Sequence, residues 1–299
     1  MRVFLTGGTG YVGAAVLDAL VRGGHQVDAL VRHNEGAARV QARGATPVLG
    51  DLMKPASWRD TAAAADGAVH AATEYGPRVR DVDEAAVDTL TALPAKPNRF
   101  LIYTSGIWVL GPAPTPVDET APLDPIEMVR WRPAHERRVL DTALAGTRAI
   151  IVRPGIVYGG SRGIVGDLLK DAANSLVRIV GSGENHWPLI YDRDLGDLYA
   201  RLVATPEAAG IFHATDGGAE TVNEIVAALI EHAPTEPSIR HVPLAEARKK
   251  MDPYADALVL DQIVRSPRAR TLGWAPTLHS VAGNAARLFE EWKRGKAAA

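Results

Sequence analysis

The chain has 299 residues, 46% of them apolar, with a formal net charge of −2 and no cysteine. That length and apolar content suit one large α/β unit, or one domain with a smaller lobe. The near-neutral balance shows no footprint for nucleic acid or an anionic membrane, and the missing thiols exclude disulfides, thiolate catalysis and cysteine-based metal sites. Arginines cluster at Arg130, Arg132, Arg137 and Arg138 and again at Arg265, Arg268 and Arg270. Glu136, Asp141, Asp256 and Asp261 interleave with them, the pattern of solvated helical faces. The first residues, Met-Arg-Val-Phe-Leu-Thr-Gly, run straight into a strand and a glycine turn without a secretory signal, and no apolar run is long enough to span a bilayer. A cytoplasmic protein without nucleic-acid or membrane partners is expected.

Val3–Leu5 reads as an apolar strand, and Tyr11–Arg22 as a helix with Val12, Val16, Leu17 and Leu20 on one face. Gly23 and Gly24 end that helix, since glycine tolerates the left-handed conformation. Further strands are expected at Gln26–Val31, Thr46–Leu49, Gly67–Ala71, Arg99–Thr104 and Arg148–Val152. Helices at Glu35–Arg43, Ser57–Ala65, Asp81–Leu93 and Ala134–Ala145 alternate with them. This alternation predicts an α/β fold with a doubly wound parallel Rossmann sheet over residues 1–154. After Arg153-Pro154-Gly155 the texture changes to shorter periodic segments, Ile164–Ser175, Leu195–Thr205 and Thr221–His232, between more Gly, Pro and His. Residues 155–299 are expected to form a smaller substrate lobe that partly returns to the main sheet. Pro112, Pro114, Pro116 and Pro122 mark a loop at the carboxyl end of the sheet, where ligands of such folds bind.

The segment Thr6-Gly7-Gly8-Thr9-Gly10-Tyr11-Val12-Gly13 follows a strand and opens a helix. Gly7, Gly10 and Gly13 let the chain turn tightly, approach a pyrophosphate with its backbone, and pack the helix near the strand. The helix N-terminus then offers N–H groups and a positive dipole end to the phosphates. The turn predicts a bound dinucleotide. At the end of strand two an NAD-preferring site usually carries a carboxylate, but here Val31 and Arg32 occupy the place. An arginine can pair with a 2′-phosphate and stack on adenine, so NADP(H) is favoured, with His33 as a helper and NAD(H) the alternative. Asp51, beside Leu52, is placed to meet the adenine amino group or to cap a turn.

Five motifs in order, Thr6–Gly13, Gly50-Asp51-Leu52, His70-Ala71-Ala72, Tyr103-Thr104-Ser105-Gly106 and Arg153-Pro154-Gly155-Ile156-Val157-Tyr158-Gly159, resemble the extended short-chain dehydrogenase/reductase family of epimerase/dehydratase type. The resemblance spans almost the whole chain. It implies that Ala71 and Ala72 line the nicotinamide side, with Thr104 nearby. It also implies that Pro154, Ile156 and Val157 approach the carboxamide, that Ser105 faces the substrate oxygen, and that two flanking helices pair in a homodimer. The family's general acid/base is a Tyr with a Lys four residues on, which lowers its pKa. No Tyr-x-x-x-Lys occurs in this chain. Counting with Glu136 as the family's helix Glu puts Met128 in the Tyr place and Arg132 in the Lys place; a shifted alignment puts Trp131 and His135 there.

Three explanations compete. Tyr75, Tyr158 or Tyr191 enters the site from elsewhere; or Ser105 with Arg132 polarises the substrate oxygen while water supplies the proton; or the protein binds NADP(H) without hydride chemistry. An arginine holds an oxyanion well but donates a proton poorly. Ser105 also fits a backbone-bonding role, and Tyr158 a packing role.

In the second half, Asn185, His186 and Trp187 supply an amide, an imidazole and an indole N–H suited to a polar or ring-shaped ligand, with Trp108 a candidate wall opposite. No second histidine lies three or four residues from His186, so no metal is expected. Asp192, Arg193 and Asp194 read as a helix cap and surface ion pairs. Arg162, Lys170 and Arg178 make no convincing diphosphate cluster, which favours a small carbonyl or alcohol substrate. The expected function is an NADP(H)-dependent oxidoreductase with an atypical active site. The alternatives are a redox-silent NADP(H) sensor and a nucleotide-sugar epimerase.

Overall fold

A computed structural model describes residues 1–297. Seven strands, β1 (Arg2–Thr6), β2 (Gln26–Val31), β3 (Thr46–Leu49), β4 (Gly67–His70), β5 (Phe100–Thr104), β6 (Arg148–Pro154) and β7 (Gly210–Ala214), form one sheet. Every neighbouring pair is parallel, in the order β7-β6-β5-β4-β1-β2-β3. Helices α1 (Tyr11–Arg22), α2 (Asn34–Gln41), α3 (Arg59–Ala64), α4 (Val79–Thr91) and α5 (Arg132–Asp141) supply the crossovers of the first half.

The strands are short and rich in Val, Ile and Leu because both faces are covered. Alternate side chains divide between two layers. Val3, Leu5, Val27, Ala29, Ile102, Ile150 and Val152 meet α1 and α7 (Asp192–Ala204) on one face. Phe4, Leu30, Leu101, Tyr103 and Ile151 lie under Trp58, Val87, Leu90 and Val139 on the other. The α1–α7 contact is close: a Cβ on Gly196 would sit 2.5 Å from the Ala15 carbonyl oxygen.

The chain beyond residue 155 does two jobs. It contributes β7 and α7 to the main sheet and its cover. It also builds a second apolar cluster from Ile156, Tyr158, Leu189 and Tyr191 with α6 (Gly163–Ala173), α8 (Val222–Ile230) and the C-terminal helix Ala285–Ala297. Thr221 and Glu224 form a capping box at the start of α8. The proline-rich loop is in part a strand: Ala113–Val117 pairs with Gln262–Val264, so Pro114 and Pro116 stand in a two-strand pair where missing N–H donors are tolerated. The helix expected from Ala134 starts earlier, at Arg132, where Pro133 is accommodated in the first turn. Among the described residues no helix is long and apolar enough to cross a membrane.

One buried ion pair fixes α5 against β6. The Arg153 guanidinium grips the Glu136 carboxylate with both ends (Nε–Oε1 3.0 Å, Nη2–Oε2 2.5 Å), and both residues are 2% exposed. Removing either partner would strand a buried charge.

The Gly196 contact gives a direct check. Gly196→Ala is expected to lower unfolding stability by about 1–3 kcal/mol through overpacking against α1, read as a fall in urea midpoint with unchanged slope. An unchanged midpoint would mean that the two helices part without cost.

Candidate active site

The sheet order reverses between β1 and β4, and the loops leaving the carboxyl ends of β1, β4, β5 and β6 face a common cleft. Gly7 lies at φ +82°, and a Cβ there would come within 2.5 Å of the Ala71 carbonyl oxygen. A Cβ on Gly13 would collide with the Gly7 carbonyl. The Gly10 N–H closes the turn on that carbonyl at 2.7 Å. At the start of α1 no side chain caps the helix and no acidic residue occupies the first turn. The exposed N–H ends and the positive end of the dipole fit a pyrophosphate. Tyr11 is anchored, its hydroxyl donating to the Gly159 carbonyl at 2.7 Å, and Val12 packs toward the core.

Thr6 is fully buried, with its Oγ1 2.7 Å from His70 Nδ1 and accepting the Ala72 N–H at 3.3 Å. It joins β1 to β4 and thereby sets Ala71 and Ala72 against the glycine turn. Arg32 is exposed and makes no ion pair within 4.0 Å among the described residues; His33 beside it is exposed too. The Gly50 N–H donates to the Val31 carbonyl at 3.0 Å, bringing Asp51 and Leu52 next to Arg32. One Asp51 oxygen accepts the Met53 N–H at 2.9 Å, so the turn role is filled while the other oxygen stays open. Leu52 is half-buried against the core.

Arg132 lies at the end of β5. Its Nη1 donates to the Thr104 carbonyl at 3.1 Å and reaches the Tyr103 hydroxyl at 3.4 Å, and its guanidinium lies 4.6 Å from the Trp131 ring centroid. Thr104 Oγ1 is held 2.6 Å from the Tyr199 hydroxyl. Behind these residues is a buried carboxylate that the motif reading missed. Asp83, on α4, accepts from the Tyr103 hydroxyl at 2.8 Å, and sits 2.6 Å from His135 Nδ1 and 3.3 Å from His70 Nε2. Burial raises its pKa, but the bonds from His135 and His70 and the nearby charges outweigh that and hold the carboxyl well below the usual range. A connected polar chain therefore runs from Thr6 through His70, Asp83 and Tyr103 to Arg132. The available signal was Asp83 itself, an acid between Val82, Ala86 and Val87 on the buried face of a helix.

Several candidate side chains lie elsewhere than expected. Ser105 is 7% exposed and its hydroxyl is buried with no partner, while a Cβ on Gly106 would meet nothing within 4 Å. Successive side chains on an extended backbone alternate, so position 106 opens outward while the Ser105 hydroxyl is enclosed. Tyr158 is fully buried, its hydroxyl unpartnered. Tyr191 packs on it (ring centroids 5.6 Å apart), and its hydroxyl bonds Glu291 at 3.0 Å and Arg287 at 3.3 Å. Neither tyrosine joins the Thr104–Arg132 group. The Asn185 amide donates to the carbonyls of Leu258 (3.1 Å) and Leu260 (3.3 Å), and the Trp187 indole to Leu258 (3.1 Å). His186 Nδ1 is 2.8 Å from Asp261. These bonds pin the segment 258–261.

Pro154 and Ile156 are buried where the chain leaves β6, and Val157 packs on the core. Arg162 lies 5.8 Å from the Tyr11 ring centroid, and Arg178 pairs with Asp171 at 3.2 Å, so these two are occupied separately. Met128 is half-buried in the turn Glu127–Val129. A groove of about 650 Å³ between Pro116–Pro122 and Arg265–Arg270 contains no residue of the glycine turn.

Asp216, whose side chain is one of the charges acting on Tyr158, is 2% exposed. Burial pushes its carboxyl up to about 7, Glu220 adds to this, and the Gly218 N–H only partly offsets it. With the folded value above the unfolded one, its contribution to stability is complete below about pH 4 and is lost as pH rises through about 7. Asp216→Asn should therefore match the parent near pH 4 and exceed it by about 1–4 kcal/mol at pH 8 in urea unfolding. Equal pH slopes for the two proteins would refute the assignment.

The profile described as NAD dependent epimerase/dehydratase family matches residues 3–214. "Uncharacterized protein C2A9.02" of Schizosaccharomyces pombe is 31% identical over 94% of this chain and 96% of its own. The 4-hydroxy-2-methyl-3-oxo-4-farnesyl-3,4-dihydroquinoline-1-oxide ketoreductase of Stigmatella aurantiaca is 28% identical over 83% of this chain and 78% of its own. Among solved structures, human epimerase family protein SDR39U1 with NADPH superposes with a TM-score of 0.75 at 20% identity, covering 97% of this chain and 99% of that one.

Proposed function

The chain belongs to the NAD dependent epimerase/dehydratase family, and from that premise we propose that it is an NADP(H)-dependent oxidoreductase acting on a small carbonyl or alcohol. The observation that carries this reading is Arg132, a cation held at the carboxyl end of β5 and connected to the glycine turn by buried polar groups. The glycine turn, Ala71, Ala72 and the uncapped N-terminus of α1 would hold the dinucleotide. When bound, the cofactor supplies hydride to a carbonyl carbon, or accepts it from an alcohol. Arg132 faces the oxygen on which negative charge develops and stays protonated throughout. Water delivers the proton, since no Tyr-x-x-x-Lys pair exists and the Ser105 hydroxyl is buried. The relative named a ketoreductase supports the reductase direction.

NADP(H) is preferred because Arg32, exposed and without a carboxylate partner among the described residues, is available to a 2′-phosphate. The structural neighbour solved with NADPH is consistent with that preference. A second reading, a redox-silent NADP(H) sensor, draws on Met128 in the Tyr place and on the inward Ser105.

Two measurements test this. Arg32→Ala should raise the Kd for NADPH about tenfold while changing that for NADH less than about twofold, by cofactor fluorescence titration; equal losses would remove the NADP(H) preference. Arg132→Gln should cut kcat for NADPH-dependent carbonyl reduction about 100-fold with cofactor affinity little changed. Tight NADPH binding with no reduction of any of a panel of aldehydes and ketones would select the sensor.

A further inference from the structure

We propose that the groove between Pro116–Pro122 and Arg265–Arg270 is a second ligand site, for a small carboxylic acid with an apolar body. Its walls include neither the glycine turn nor Arg132, so the site stands apart from the oxidoreductase reading. The volume of about 650 Å³ is that of a pocket for a small organic molecule.

The arginines on one wall have lost the counter-ions that the sequence offers them. Asp256 and Asp261 precede Arg265 and Arg270 along the chain, but Asp256 pairs with Arg248, and Asp261 lies 2.8 Å from His186 Nδ1. Among the described residues, neither Arg265 nor Arg270 has a carboxylate oxygen within 4.0 Å. Buried Asp216 and Asp194 act on Arg270 only from beyond that distance. Both guanidinium groups are mounted on the backbone carbonyls of one loop, 215–218. Arg265 Nη1 donates to Gly217 (2.7 Å) and Gly218 (3.0 Å), and Arg270 Nη2 to Asp216 (3.2 Å) and Thr215 (3.4 Å). Arg270 also lies 4.9 Å from the Trp274 ring centroid. Neutral carbonyls occupy part of each donor fork and leave the charge in place. Two cations therefore stand fixed before a ligand arrives, which lowers the ordering cost of binding.

The facing wall is mostly apolar, with Pro116, Val117, Ala121 and Pro122 on it. The Arg265 N–H donates to the Val117 carbonyl at 2.8 Å and ties the two walls together. Asp118 is the acid in this lining, and the N–H and hydroxyl of Thr120 occupy one of its oxygens at 2.9 and 2.6 Å. Two cations against one acid favour a monoanion. A planar guanidinium meets a carboxylate through two parallel bonds, and the proline wall then covers the apolar body beside it.

The test is calorimetric titration at neutral pH with cinnamate and cinnamyl alcohol, which share a body and differ in charge. The acid should bind at least about tenfold tighter. Arg265→Gln and Arg270→Gln should each weaken the acid about tenfold and leave the alcohol within about twofold. Asp118→Asn should tighten the acid about threefold by removing a like charge. Arg132→Gln, in the cleft, should leave it unchanged, and the thermal midpoint serves as the folding control. Equal affinity for the two probes, no saturable binding of the acid, or a loss confined to Arg132→Gln would overturn the site. If the groove arginine variants do not fold, Asp118→Asn and Arg132→Gln decide: a gain in the first with acid preference kept in the second supports the site, and any other pair of results overturns it.

Discussion

Asp83 is the carboxylate around which the carboxyl end of the sheet is organised. It receives Tyr103 from β5, His70 from β4 and His135 from α5, and through His70 it reaches Thr6 at the glycine turn. A charge this buried is tolerated only when its lone pairs are met, and here hydrogen bonds and nearby cations do so. The same bonds that stabilise the ionised form fix three separate elements relative to one another. Arg132 inherits its position from that arrangement, since the Tyr103 hydroxyl and the Thr104 carbonyl both face it.

A second buried pair completes the frame. Arg153 and Glu136 lock the helix that carries Arg132 against the strand that leads to Pro154. With Glu136 fixed, Arg132 one turn earlier must point to the end of β5. The first explanation for the missing dyad, a substitute among Tyr158, Tyr191 and Tyr75, thereby loses two of its members. Tyr158 is enclosed and Tyr191 is engaged with Glu291 and Arg287. The Tyr158 hydroxyl and one Asp216 oxygen, both buried without a partner, mark a separate polar region in which the raised Asp216 carboxyl ties stability to pH.

The glycine turn was legible in the sequence because each glycine answers a local demand. Gly7 needs a positive φ and room beside Ala71, and Gly13 needs the space next to Gly7. The absent Tyr-Lys pair was legible too, as simple spacing. The bonds made by Asn185, His186 and Trp187 were not legible, because residue type reveals hydrogen-bonding capacity and not the direction in which it is used. Their partners lie more than seventy residues away. The burial of Ser105 was not legible for a related reason: alternation along an extended backbone decides which neighbour is enclosed, and the pleat phase depends on how β5 is set in the sheet.

By itself, the sequence determined the alternating strands and helices, the dinucleotide-binding turn and the family, since periodicity and glycine spacing are local constraints on the backbone. Tertiary structure alone brought Asp83 to His70, His135 and Tyr103, returned Gly210–Ala214 to the edge of the main sheet, and set Tyr254 against Trp108. Those meetings join residues far apart in the chain. They follow from burying two faces of one sheet together, which no short stretch of sequence encodes.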